Sequence, residues 1–201
     1  MELIIICIVG YLIGAIPFAY VIGKLFFHTD VRQHGSGNLG GSNTGRVLGK
    51  KAGVAVMTLD LLKVTFVVLL AQMISDHSWA VACGSISAAI GHCYPVFVRF
   101  RGGKAVAALY GLFFGLWTVL GYSAWTFFLP LITFLTVLYL FKIVSLSSML
   151  SSVAGFLYLC LIRAHTPILA AVLLFVLLII VRHWPNIRRM LQGSENKIRW
   201  M

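Results

Sequence analysis

Residues 105–141 read AVAALYGLFFGLWTVLGYSAWTFFLPLITFLTVLYLF, 37 positions without a charge. A helix rises about 1.5 Å per residue, so a bilayer core about 30 Å thick takes roughly 20 residues. The stretch is too long for one spanning helix and suits two, with a tight turn near Gly121–Tyr122–Ser123. Its apolar residues run in blocks, whereas the strands of a membrane β-barrel alternate apolar and polar.

The pattern repeats outward from this stretch. Leu3 to Gly23 carries no charge, preceded by Glu2 and closed by Lys24. A cleaved leader would show a basic start and a shorter apolar core, so this block reads as a retained helix. Further spans are expected at about Gly53–Ile74, at Trp79–Val98, up to Ile162, and at Pro167–Val181. Residues 24–52 and Lys142–Ser148 read as loops, and the segment from Arg182 onward as a basic, polar tail.

The whole chain has 201 residues, 60% hydrophobic and 10% charged, with a mean hydropathy of +0.97. Soluble domains are typically about 45–50% apolar and about 25% charged. The expected fold is therefore an all-α polytopic membrane protein, a single integral-membrane domain over 1–201 with seven transmembrane helices. Fourteen of the sixteen Lys and Arg residues fall on one side of this topology; Arg163 lies opposite and Lys63 within a span. Positive charge marks the cytoplasmic side, which puts the N-terminus outside and the C-terminus inside.

The net charge of +11 has two readings. One is this orientation bias plus attraction to anionic lipid headgroups; the other is an anionic substrate. Nucleic acid is not an expected partner, because no long basic run interleaves with aromatics. Cys7, Cys83, Cys93 and Cys160 stand alone, with no metal-ligand or disulfide spacing. No internal repeat suggests a transporter built from inverted halves.

Three polar clusters occupy the positive side. Residues 35–46 hold Gly35, Ser36, Gly37, Asn38, Gly40, Gly41, Ser42, Asn43 and Arg46 within twelve positions. Such a composition suits a loop that wraps backbone N–H groups around an anion; a flexible linker is the alternative. The formal GxGxxG of Gly35, Gly37 and Gly40 lacks the preceding strand of a dinucleotide fold. The second cluster runs from Gly91-His92 to Gly102-Gly103-Lys104. It reads either as a close approach to phosphate at a helix start or as a tight turn among orienting charges. Asp60 and Lys63 share one helix face and read as a supporting ion pair. The third cluster is Arg182-His183-Trp184-Pro185-Asn186-Ile187-Arg188-Arg189, with Glu195 beyond. Headgroup binding accounts for Arg188, Arg189, Lys197 and Arg199, but not for His183 with Asn186.

Together the clusters resemble the PlsY-type glycerol-3-phosphate acyltransferases of bacteria, which use acyl phosphate as donor. Ser36-Gly37-Asn38-Leu39-Gly40-Gly41-Ser42-Asn43-Thr44-Gly45-Arg46 matches the family's Ser-Gly-Asn-x-Gly-x-Thr-Asn-x-x-Arg. Gly91 to Ala107 matches Gly-His-x-x-Pro-Val-Phe…Gly-Gly-Lys-x-Val-Ala, and His183 to Arg189 with Glu195 matches His-x-x-Asn-Ile-x-Arg with a later Glu. Ser145-Leu146-Ser147-Ser148 is also family-like. Ser42 stands where the family usually has Thr, Val64 where a glycine commonly follows Lys63, and Trp184-Pro185 where a basic residue is frequent.

The resemblance implies acyl transfer from acyl phosphate to the 1-hydroxyl of sn-glycerol-3-phosphate, giving lysophosphatidic acid, with no cofactor or metal. It implies catalytic roles for Ser36, Asn38, Asn43, Arg46, His183 and Asn186. Substrate contacts fall to Gly37, Gly40, Ser42, Gly102, Gly103, Lys104 and Ser145, and structural roles to Asp60, Lys63 and Glu195. It further implies the bacterial plasma membrane, a cytoplasmic-face site, membrane lipids as neighbours and a functional link to an enzyme that makes acyl phosphate. Thioester-dependent acyltransferases carry His-x4-Asp, and no histidine here has Asp five positions on. Phosphate leaves readily, so positioning and charge stabilisation suffice without that dyad or an acyl-enzyme. A transporter of phosphorylated solutes would need polar groups at both faces, and a lipid-phosphate phosphatase a nucleophile or paired carboxylates.

Overall fold

The computed structural model describes residues 1–198, so Arg199 of the basic tail lies outside the described residues. Among the described residues every regular element is helical. The first apolar block forms α1 (Glu2–Gly14) and α2 (Phe18–Phe27). Pro17 has no N–H and disfavours helix at Ile16, which breaks the block there. A long helix α4 (Lys50–Ile74) follows the short α3 (Gly41–Leu48), and α5 (Ala80–Cys93) returns. The uncharged stretch divides into α6 (Val106–Thr118) and α7 (Trp125–Phe141), with Gly121 at φ 70 in the turn between them. The chain closes with α8 (Val144–Leu161), α9 (Thr166–Arg182) and α10 (Trp184–Leu191), the last bent 55° from α9. Pro185 sits in the first turn of α10, where its missing N–H would have no helical partner anyway.

Two expected loops are partly helical. Residues 24–52 contain the end of α2, a tight helical turn at Val31–Gln33, and all of α3. The serine-rich segment 145–148 is the first turn and a half of α8, where Ser147 and Ser148 donate to the carbonyls of Ile143 and Val144, both at 2.8 Å. That back-bonding satisfies hydroxyls inside a helix, so serine content alone is a poor loop signal.

This is an integral membrane protein. Among the described residues four helical units, Glu2–Phe27, Lys50–Ile74, Ala80–Val98 and Val144–Leu161, are long and apolar enough to cross a membrane, and α9 with α10 makes a fifth if the bent pair is one span. Helices α6 and α7 are apolar but have 13 and 17 residues, against the roughly 20 of a full crossing. Isoleucines 4, 5 and 8, Phe66, Leu135 and Leu177 face outward. The buried centre is built from Leu109, Leu112, Phe113, Leu116, Leu159, Phe175 and Ile179.

Lipid gives apolar helices little reason to associate, so close backbone approach supplies the packing. A Cβ on Gly10 would lie 2.7 Å from the carbonyl oxygen of Gly84, and one on Gly14 2.1 Å from that of Ala88. These glycines seat α1 against α5. Gly53 seats α4 under α3 in the same way, since a Cβ there would lie 2.6 Å from Gly45 Cα.

Candidate active site

The helices bring all three sequence clusters to one end of the bundle. At the other end, Ser75 at the close of α4 donates to the Glu2 carboxylate at 2.5 Å.

The first cluster opens on an anchored turn. Asp30 accepts from its neighbour Arg32 through Nε at 3.0 Å, Nη2 at 2.7 Å and the backbone N–H at 3.1 Å. Those bonds hold the Asp30 carboxyl below its ordinary range, against a smaller opposing effect of burial. Gly35 and Gly37 then take left-handed φ of 60 and 68, a conformation other residues adopt at a cost. Asn43 braces the loop from α3: its Oδ1 accepts from Ser36 N–H at 2.8 Å, and its Nδ2 donates to the carbonyls of Val31 and His34, both at 3.1 Å.

The expected anion-wrapping loop is thus shorter than the motif. From Gly41 the chain is helix, and Gly41 and Gly45 serve packing on α4 rather than an open cradle. What remains for an anion is the start of α3, where no side chain caps the first N–H groups. Arg46 and Ser42 on α3 and Ser36 in the loop are exposed, and Asn38 is half-buried.

The second cluster forms a strap rather than a helix start. Helix α6 begins only at Val106, behind Ala105 at φ 61. Gly102 and Gly103 are required by the protein itself: a Cβ would lie 2.2 Å from the His92 carbonyl oxygen at Gly102, and 2.1 Å from His92 Nε2 at Gly103. Gly103 N–H donates to that carbonyl at 3.0 Å. Arg182 grips the other side, donating through Nε to the Gly103 carbonyl at 3.1 Å and through Nη2 to that of Gly102 at 3.2 Å. Its guanidinium lies 5.0 Å above the Tyr94 ring centre.

Lys104 leaves the strap and joins the third cluster by donating to Asn186 Oδ1. Asn186 Nδ2 donates to Glu195 Oε1 at 2.5 Å, and that oxygen also accepts from Ser145 at 2.8 Å. Arg189 Nε donates to Glu195 Oε2 at 2.7 Å. Burial pushes the Glu195 carboxyl up, but these bonds outweigh it and hold the group below its ordinary range. Burial brings the Lys104 ammonium down to about 8; Glu195 opposes this, while Arg189, Arg182 and Arg46 add to it. Arg46 therefore acts electrostatically on Lys104, which joins the first cluster to the other two. His183 is buried where α9 bends, and its Nδ1–H donates to the Ile179 carbonyl at 2.8 Å. A carbonyl only accepts, so this bond leaves the lone pair on Nε2.

Several of the expected site residues are engaged by the protein itself. Asn43 and Asn186, expected among the reacting groups, have both ends of their amides bonded to protein. Ser145, expected on a substrate phosphate, commits its proton to Glu195. Arg189, expected among lipid headgroups, is paired with Glu195 at 2.7 Å, while Arg188 lies over the Trp184 ring at 5.5 Å. The sequence reads Arg182 only as an orienting charge, and no local signal marks its grip on the strap. Among the described residues no group of three or more His, Cys, Asp or Glu side chains is arranged for a metal ion.

A family model described as glycerol-3-phosphate acyltransferase matches residues 4–193. A glycerol-3-phosphate acyltransferase of Geobacillus kaustophilus is 44% identical over 197 residues, covering 98% of this chain and 96% of the relative. Glycerol-3-phosphate acyltransferase 2 of Bacillus anthracis is 45% identical over 195 residues, covering 97% and 98% respectively. The crystal structure of PlsY, an integral membrane glycerol 3-phosphate acyltransferase, in its glycerol 3-phosphate form, superposes with a TM-score of 0.91 at 34% identity. That match covers 99% of this chain and 96% of the other. With this helical frame and a family match over residues 4–193, this chain belongs to the glycerol-3-phosphate acyltransferase family.

Proposed function

We propose that the protein transfers a fatty acyl group from acyl phosphate to the 1-hydroxyl of sn-glycerol-3-phosphate, releasing phosphate and lysophosphatidic acid. The observation that carries this reading is the convergence of Arg46, Lys104 and His183 at one end of an apolar helical bundle. Both substrates are phosphates, and Arg46 and Lys104 are two cations that make no ion pair with the nearby Glu195 carboxylate. The acceptor's dianionic phosphate sits on Lys104, whose charge it stabilises. Arg46 and the uncapped start of α3 receive the donor phosphate, with Ser36, Asn38 and Ser42 alongside.

His183 Nε2 has no protein partner among the described residues and takes the proton of the attacking hydroxyl. The hydroxyl oxygen forms the new bond to the acyl carbon as the carbon–oxygen bond to phosphate breaks. The bonding electrons leave with phosphate, so no acyl-enzyme is required. Asn43, Asn186, Ser145 and Glu195 hold these groups in place.

The donor test is direct. Detergent-purified protein given acyl phosphate and glycerol-3-phosphate is expected to form lysophosphatidic acid and phosphate. Turnover of acyl-CoA at the same rate would refute the donor assignment, which rests on the missing His-x4-Asp dyad.

The reading also carries a topology: a single membrane domain with seven crossings, α1 with α2 acting as one and α6 and α7 as short ones. The N-terminus is outside and the site faces the cytoplasm of a bacterial plasma membrane, next to the enzyme that supplies acyl phosphate. Single-cysteine labelling in intact cells tests it. Positions 36 and 194 should be protected from an impermeant reagent, and labelling of either from outside would overturn the orientation.

A further inference from the structure

A buried charged cluster lies behind the Gly102–Gly103 strap. Asp60 and Lys63 on α4 and His92 on α5 are 2%, 6% and 6% exposed. Ionised groups at such depth are costly unless every partner is supplied. Here the supply is complete for Lys63. Its ammonium has three protons, and it lies 2.7 Å from Asp60 Oδ1, 2.9 Å from the Ile16 carbonyl and 3.1 Å from His92 Nδ1. The Ile16 carbonyl is available because Pro17 breaks the first span there.

An ammonium only donates, so with Lys63 charged His92 Nδ1 accepts and the ring proton is on Nε2; the same Nδ1 lies 3.5 Å from Asp60 Oδ1. These contacts hold the imidazole in rotation. That same Nε2 edge faces Gly103, and the His92 carbonyl takes the Gly103 N–H at 3.0 Å. The Gly102–Gly103 strap is held between His92 on one side and Arg182 on the other, and Lys104 is the next residue. The sequence reads Asp60 and Lys63 as a supporting ion pair, and the contacts show that what they support is the second cluster.

We infer that Asp60, Lys63 and His92 are positioning residues that act through the Gly102–Gly103 strap to set where the Lys104 ammonium sits. The inference rests on the reading of Lys104 as the acceptor-phosphate contact. The network ties α4, α5 and the break between α1 and α2 to one glycine, so the strap cannot slide or tilt independently of the bundle. Displacing a binding group that holds its phosphate equally in the ground and transition states raises KM and leaves kcat unchanged.

Three variants test this in purified enzyme, with thermal midpoints measured in parallel. Lys63→Met removes all three donors but leaves a buried carboxylate unpaired. Asp60→Asn/Lys63→Met removes that charge as well, so a loss due only to an unpaired buried ion should disappear in it. His92→Asn keeps an acceptor near Lys63 but withdraws the ring edge from Gly103. The neutral pair and His92→Asn are expected to fold and to raise KM for glycerol-3-phosphate about tenfold, with kcat within about twofold. In a Lys104→Ala background the same changes should add less than about twofold, because the group they aim is gone.

A wild-type KM in the neutral pair, or effects that multiply fully with Lys104→Ala, would overturn the inference while the Lys104 reading stands. An unchanged KM in Lys104→Ala alone would overturn that reading and the inference together.

Discussion

Arg46→Ala should lower kcat by about 30- to 1000-fold, the equivalent of roughly 2–4 kcal/mol of lost charge stabilisation. Arg46 is exposed on α3 at the site end, yet close enough to influence Lys104. In the proposed reaction negative charge builds on the departing phosphate as the acyl–oxygen bond breaks, and a planar guanidinium can hold two of its oxygens at once. An interaction that strengthens with that charge contributes to kcat. Arg46→Lys keeps the charge without the fork and should recover only part of the rate. Steady-state kinetics on membrane-inserted variants check both, and a pure KM effect in Arg46→Ala would reassign the residue.

The second large effect falls on Lys104. Lys104→Ala is expected to raise KM for glycerol-3-phosphate by about 30-fold or more while kcat changes little, since its contact persists through the reaction. Gly103→Ala should act in the same direction, because its methyl would meet His92 Nε2 at 2.1 Å and push the strap outward. A pH profile adds an independent sign. Burial brings the Lys104 ammonium down to about 8, so its charge is present below that pH and lost above it. A phosphate monoester is already dianionic above about pH 6. Thus kcat/KM for glycerol-3-phosphate should be flat near neutrality and fall as pH rises through about 8. Lys104→Arg, charged throughout, should flatten that fall. An identical decline in Lys104→Arg would assign it to another group.

How much of this was readable beforehand depends on the range of the interaction. Uncharged runs are local properties, so the membrane class, the helical architecture and the turn near Gly121 follow from composition and spacing alone. The same holds for the motif residues, whose types and order carry the family resemblance. Boundaries were less legible where two local signals compete. Gly41 to Arg46 looks like loop by its glycines and polar residues, but those glycines are what allow α3 to lie directly on α4. Ser145 to Ser148 looks like loop by its hydroxyls, yet each can bond within a helix.

Roles that depend on a partner far along the chain were not legible at all. Nothing near Asn43 reveals that its amide is used up by Val31, His34 and Ser36, and nothing near Arg182 points to carbonyls 79 and 80 positions away. The chemical identity of the site was therefore determined by the sequence, because phosphate recognition needs particular donors and cations. The tertiary structure decided which of those groups keep free donors and acceptors and which hold the others. Each side chain has a limited number of donors and acceptors, and only folding shows which of them the protein has already taken.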